Sequence, residues 1–285
     1  RLMNAIAANI NSQPVNFGIQ TGDFVDNGGN LVQWNEILDV FSKNYADVPV
    51  VQVMGNHEYY GDLSGGNASS LWTLPDKLYY SVEYGDVYVA VINFAANLED
   101  ACQWLIQDAA KSDCTWKVLA VHQPAYYTNP NGSSEAFNRY IPAAAEAAGI
   151  NVVFSGHDHS YARTAPMTGG QVDENGTVYY ICGSTGGKSY SIVNNPDFHF
   201  DVATLDFDSV YVDVAADRFQ ATVTAYNGAA DGTRTVLDQY TKRAVPVCAN
   251  DEHTYLFDLD TKELFCDVCG CTENAVDEKF SGFVR

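Results

Sequence analysis

Four short stretches of this sequence carry side chains suited to holding a metal ion. They are Gly22-Asp23, Gly55-Asn56-His57-Glu58, His122-Gln123-Pro124 and Gly156-His157-Asp158-His159. Neutral imidazole is the commonest protein ligand for transition metals, and carboxylate and amide oxygens suit the harder cations. His157 and His159 stand two residues apart behind a glycine that permits a sharp turn, so the pair could serve two adjacent ions. A lone His-x-His carries little weight. Four ligand-bearing stretches in order form a constellation.

The elements before them are what would bring these side chains together. Each stretch follows a short apolar run that reads as a buried strand: Phe17–Thr21, Pro49–Met54, Lys117–Val121 and Asn151–Ser155. Ligands of α/β sheets bind just beyond the carboxyl ends of the strands, which is where all four stretches fall. Between them the periodicity predicts helices over Leu2–Ile10, Leu31–Tyr45, Leu98–Lys111 and Ser134–Ala148. Tyr79–Tyr84 and Val87–Asn93 flank Gly85-Asp86 as a hairpin. Residues 59–76 and 126–132 read as polar loops beside the site, and Tyr126 and Tyr127 could line it or pack in the core. After the last stretch, Val178–Cys182, Ser209–Ala215, Phe219–Tyr226 and Arg234–Lys242 alternate as half-solvated strands do.

In this order, G-D, G-N-H-E, H-x-P and G-H-x-H resemble motifs two to five of the calcineurin-like metallophosphoesterase superfamily. The spelling Gly156-His157-Asp158-His159-Ser160-Tyr161-Ala162-Arg163 is most similar to the purple-acid-phosphatase-like branch. The resemblance spans residues 1–243. It implies an α/β (α+β) fold: a four-layer α/β/β/α sandwich of two mixed sheets with flanking helices. It also implies two metal ions (Fe, Mn or Zn) and hydrolysis of a small phosphorylated substrate, a monoester or a diester. Two adjacent cations neutralise phosphoryl oxygens and lower the pKa of a water, which is what that reaction requires.

Carried over residue by residue, the resemblance makes Asp23 the bridging ligand, completes the second-metal set with Asn56, His122 and His157, and gives His159 to the first metal. His57 would face the substrate and protonate the leaving group, the alternative being a supporting histidine held by Glu58. Arg163 would hold a phosphate oxygen or pair with a carboxylate. Two departures stand out. The superfamily's first motif, an Asp two residues before a His or Gly, has no match here and is expected ahead of Arg1 if it exists. Asp23 and His159 alone are too few to hold the first metal firmly. Asp26 occupies the position of the ligating tyrosine that colours purple acid phosphatases, so no purple colour is expected.

With 36 acidic and 15 basic residues, the net charge is −21, which argues against nucleic acid as a partner. No apolar run reaches the length of about 18 residues that a membrane span needs. Seven cysteines, with abundant Tyr and Gly, suggest an extracellular, secreted or cell-surface protein, and Arg1 reads as falling within a helix. Asn67, Asn131 and Asn175 head glycosylation sequons. Gly183–Ser189 imitates a nucleotide-binding P-loop but has Cys182 where that pattern demands glycine.

From residue 244 the composition changes. Residues 244–285 form a Cys/His-rich appendage in which Cys248, His253, Cys266 and Cys269 could bind a structural zinc ion, the rival being one or two disulfides. The leading expectation is a metal-dependent phosphatase or phosphodiesterase. A non-catalytic or impaired binding module on the same fold is the alternative. Nothing in the sequence sets the oligomeric state.

Overall fold

The computed structural model describes residues 14–130, 132–185, 188–244, 248, 253–258, 261 and 263–273. The expected helix over Leu2–Ile10 and the sequon at Asn131 lie outside them. Apolar runs that are β-branched and short become strands, and those with helical spacing and a capping residue become helices. Asn30 and Asn97 cap α1 (Leu31–Asn44) and α3 (Leu98–Ala109), each side chain accepting two main-chain N–H groups of the first turn. Helix α4 (Gly132–Ala147) carries Pro142 within it.

A seven-stranded mixed sheet dominates the fold. Its strands are β3 (Tyr79–Tyr84), β4 (Val87–Ile92), β5 (Trp116–Val121), β6 (Val152–Ser155), β7 (Tyr161–Thr164), β10 (Val178–Cys182) and β11 (Phe200–Thr204). They lie in the order β11-β7-β10-β6-β5-β4-β3. The four central strands β4, β5, β6 and β10 run parallel, so their carboxyl ends share one edge. Beside this sheet, β1 (Gly18–Gln20) and β2 (Val50–Gln52) pair in parallel.

Both faces of the large sheet are covered. On one, Ala101, Leu105 and Ala109 of α3 and Phe137, Ile141 and Ala145 of α4 pack on Ala90, Ile92, Leu119, Val121 and Val153. On the other, Ile19, Val51 and Val53 of the β1-β2 layer pack on Val91 and Ala120. Trp34 and Ile37 of α1 pack against Val25, Met54 and Trp72. This is the expected mixed α/β architecture of layered sheets with flanking helices. Stacking the β1-β2 pair on the central strands sets the ends of β1, β2, β5 and β6 side by side, and every expected ligand follows one of those ends.

Two expectations change and one open choice is decided. The stretch 59–76 is not all loop, since it contains helix α2 (Gly66–Trp72). Strands β7 and β11, absent from the periodicity reading, lie within the sheet and at its edge. Tyr126 and Tyr127 belong to the core, Tyr126 against Tyr179 and Phe198 and Tyr127 against Phe198.

The chain divides into two compact units. One comprises the described residues up to Asp213 together with Thr224–Asp238. The other comprises Val214–Val223 and the described residues from Gln239 onward. The first unit holds the layered sheets. The second contains the short strands β15 (Tyr255–Phe257), β16 (Leu264–Cys266) and β17 (Thr272–Glu273), an antiparallel three-stranded sheet.

Candidate metal centre

Asp23, Asn56, His122 and His157 come together, each from the end of a different strand. His122 Nε2 lies 3.1 Å from Asp23 Oδ2 and 3.1 Å from Asn56 Oδ1. His157 Nδ1 lies 3.2 Å from Asn56 Oδ1 and 3.2 Å from His122 Nε2. The donor atoms of Asp23, His122 and His157 are all within 4.8 Å of one another.

The backbone goes to some length to achieve this. Asp23, His157 and His159 adopt φ values of 55°, 66° and 51°, in the left-handed region where only a few per cent of non-glycine residues fall, Asn, Asp and His more often than the rest. Strain of this kind clusters where function over-determines the geometry. Gly22 and Gly55 make the approach possible: a Cβ on Gly22 would meet His122 Nδ1 at 2.4 Å, and one on Gly55 would meet Asp23 Oδ1 at 2.3 Å.

The surroundings fix which atoms face inward. His122 Nδ1 is 2.8 Å from the Thr21 carbonyl and donates to it, so Nε2 presents its lone pair to the cluster when the ring is neutral. Asn56 Nδ2 donates to the Tyr60 hydroxyl at 2.9 Å, which turns Oδ1 inward. Four electron-pair donors therefore face one another with only a proton or a cation able to reconcile them. A cation about 2.1 Å from each of several donors spaces neighbours about 3.0–3.4 Å apart in octahedral or tetrahedral geometry. The observed 3.1 and 3.2 Å separations fit that requirement.

The titration behaviour follows from the same contacts. Burial alone would raise the Asp23 carboxyl, but the charge and hydrogen bond of His122 and the His57 main-chain N–H outweigh it and hold the group at about 2. Burial opposes a charge on His122, yet the Asp23 carboxylate raises it above the ordinary imidazole value. His157 is pushed down to about 4 by burial, assisted by the neighbouring His122.

The remaining expected residues are placed as follows. His57 adjoins the cluster: Nδ1 lies 2.8 Å from the Asp26 carbonyl, Nε2 lies 3.8 Å from Asp23 Oδ2, and the ring packs on Tyr60. His159 stands outside the close cluster, its Nδ1 donating to the Lys188 carbonyl at 3.1 Å and its ring against Tyr190. Burial lowers it, and the Asp23 charge reaches it. The same contact sets Lys188, from the P-loop look-alike, beside His159. The Asp26 carboxylate is exposed and outside the cluster.

Arg163 pairs with carboxylates. Its guanidinium donates to Asp238 through Nε at 2.7 Å and to Asp201 through Nη1 at 2.7 Å, and the side chain is buried. Of its two readings, these contacts are those of the carboxylate pair.

The sequence pattern suggests Glu58 as a partner for His57. Fully buried, it instead accepts the main-chain N–H groups of Asp23, Phe24 and Gly55 at 2.9, 2.7 and 2.6 Å, and more weakly that of Val25 at 3.4 Å. Asp158 does similar work nearby, accepting the N–H groups of Thr128 and Asn129 at 2.7 and 2.9 Å. Both are carboxylates inside ligand motifs, and that position was the available signal.

A cage of one carboxylate, one amide and two imidazoles at the carboxyl ends of layered strands defines a metallophosphoesterase-type protein. The family model described as calcineurin-like phosphoesterase matches residues 1–161, and the chain belongs to that family, in its purple-acid-phosphatase-like branch. Purple acid phosphatase 22 of Arabidopsis thaliana is 26% identical over 206 residues, covering 65% of this chain and 47% of that protein. A further Arabidopsis thaliana relative bears the name "Probable inactive purple acid phosphatase 27" and is 22% identical over 273 residues, covering 81% of this chain and 44% of that protein. The purple acid phosphatase PPD1 of yellow lupin seeds (Lupinus luteus) superimposes with a TM-score of 0.73 at 19% identity, covering 84% of this chain and 48% of that one. The chain spans less than half the length of these relatives.

Proposed function

We propose that this chain hydrolyses phosphate esters of small substrates in a metal-dependent reaction at the Asp23–Asn56–His122–His157 cage. The observation that carries the reading is the convergence of those four electron-pair donors at separations that suit a shared cation. A metal ion held there would neutralise the phosphoryl oxygens and lower the pKa of a water. A second ion would draw on Asp23 and His159, and the choice among Fe, Mn and Zn belongs to the same proposal.

The chain's own contribution is placement and proton transfer. Asp26 orients the His57 ring through its carbonyl, leaving Nε2 beside Asp23. As the P–O bond breaks, protonated His57 gives its Nε2 proton to the departing alkoxide. An extracellular or cell-surface setting is part of the proposal. Its support is the abundance of Tyr and Gly, since the cysteines form no disulfide among the described residues.

The test is metal content by mass spectrometry, paired with hydrolysis of p-nitrophenyl phosphate and bis(p-nitrophenyl) phosphate before and after chelation. Hydrolysis should require metal, fall with metal content in Asp23→Asn, and fall without metal loss in His57→Ala. Metal binding with neither ester hydrolysed would favour the non-catalytic binding module, a reading supported by the relative whose name includes "inactive". Hydrolysis that survives both chelation and Asp23→Asn would sink the proposal.

A further inference from the structure

We propose that Cys248, His253, Cys266 and Cys269 form a tetrahedral structural zinc site that holds the C-terminal unit together, independent of the phosphoesterase cage. Three thiols and one imidazole are the ligand types of closed structural zinc sites. Their donor atoms lie within 4.8 Å of one another.

The spacing separates zinc from a disulfide. A disulfide joins sulfurs about 2.05 Å apart. Zinc about 2.3 Å from two thiolates at tetrahedral angles holds the sulfurs about 3.8 Å apart, and a sulfur and an imidazole nitrogen about 3.6 Å apart. Cys248 Sγ lies 3.7 Å from Cys266 Sγ, and Cys269 Sγ lies 3.4 Å from His253 Nδ1. The tetrahedral spacing is the one observed.

The local backbone is shaped for the site. Cys266 ends β16, and the chain turns through Asp267-Val268-Cys269-Gly270, with the Gly270 N–H returning to the Cys266 carbonyl at 2.8 Å and Gly270 at φ 71°. That turn brings Cys269 back beside Cys266. Opposite, Tyr255 pairs with Cys266 across the β15-β16 ladder, which brings His253 alongside. Arg243 donates to the Cys269 carbonyl, and Arg218 pairs with Asp267 at 2.8 Å.

The energetic need is plain. Leu256, Phe257 and Val268 are exposed, and the buried side chains of the segment 253–273 are Cys266 and Cys269 themselves, among the described residues. A three-stranded sheet of this size has no apolar core to hold it, so a staple must supply the stability. Cys271, whose carbonyl accepts the Cys266 N–H at 2.8 Å but whose sulfur is outside the four-atom set, is the built-in control.

Cobalt(II) added to the full-length, metal-free, reduced chain tests this directly. The expected result is thiolate-to-cobalt charge transfer with tetrahedral ligand-field bands. These should persist in His122→Ala, Cys271→Ser and the conservative His253→Cys, and vanish in the Cys266→Ser/Cys269→Ser double variant. Absence of thiolate bands in the wild type, or their survival in the double variant, would overturn the proposal, as would Cys248–Cys266 disulfide-linked peptides in protein purified without added oxidant. Because these bands arise from sulfur ligands, they report on this site whether or not the cage near Asp23 proves catalytic.

Discussion

Glu58 Oε2 accepts the main-chain N–H of Asp23 at 2.9 Å and that of Gly55 at 2.6 Å, so one buried carboxylate fastens the loop bearing Asp23 to the loop bearing Asn56. Charge-assisted hydrogen bonds of this kind are worth more than neutral ones, and removing the acceptor strands buried donors. Glu58→Gln keeps the volume but turns one acceptor into a donor that faces N–H groups. It should destabilise the chain by about 2–4 kcal/mol and weaken metal binding at least about tenfold. Denaturant midpoints and metal titration calorimetry would check both. A variant with unchanged metal affinity would show that the loops hold their positions without this carboxylate.

Gly55 gives a sharper geometric test. A methyl at this position would sit 2.3 Å from Asp23 Oδ1, 2.7 Å from Asp23 N and 2.9 Å from His122 Cε1, and backbone and ring atoms have little room to yield. Gly55→Ala should abolish metal binding at the Asp23 cage and cost about 2–4 kcal/mol of stability through forced displacement of the cage. Gly85→Ala, at a hairpin with nothing within 4 Å of the added methyl, should cost only about 1 kcal/mol and leave metal binding alone. Metal content of the two purified variants distinguishes steric exclusion from general fragility.

Arg163 separates stability from substrate recognition. With its guanidinium on Asp238 and Asp201, Arg163→Ala leaves the largely covered Asp238 carboxylate, its side chain 10% exposed, with Tyr161 but without that partner. Breaking such a pair costs about 3–5 kcal/mol. Thermal unfolding should report that loss, while KM for a phosphate ester, measured where the variant is folded, should not change. A raised KM with unchanged stability would return Arg163 to the substrate.

These residues show why the sequence revealed some things and hid others. Asp23, Asn56, His122 and His157 were legible because each ends an apolar run, and strands β1, β2, β5 and β6 form where those runs predict. Arg163 was ambiguous because the deciding partner, Asp238, lies 75 residues away, and no local pattern encodes that pairing. Glu58 was visible but misassigned: its spacing from His57 suggests a side-chain pair, whereas its partners are main-chain groups on another loop. Strand β7 escaped because Tyr161–Thr164 is buried throughout and shows no alternation. Packing against distant elements decides such cases.

The pH dependence of metal uptake follows from the opposite shifts of two histidines. Asp23 stays ionised down to about 2 and His157 stays neutral down to about 4, so both are ready ligands across the neutral and mildly acidic range. His122 differs, because the Asp23 carboxylate raises it against the effect of burial and favours the imidazolium in the metal-free chain. A cation can use its Nε2 only by displacing that proton. Below the raised His122 value, binding should therefore release about one proton per ion, and affinity should fall about tenfold for each unit decrease in pH. Above it, release and pH dependence should both vanish. Calorimetric titration of manganese(II), which thiolate sites disfavour, in two buffers of different ionisation enthalpy gives the proton count. A count near zero on the acid side would mean that His122 is already neutral, and that Asp23 is held in place by the main-chain N–H of His57 without help from an ion pair.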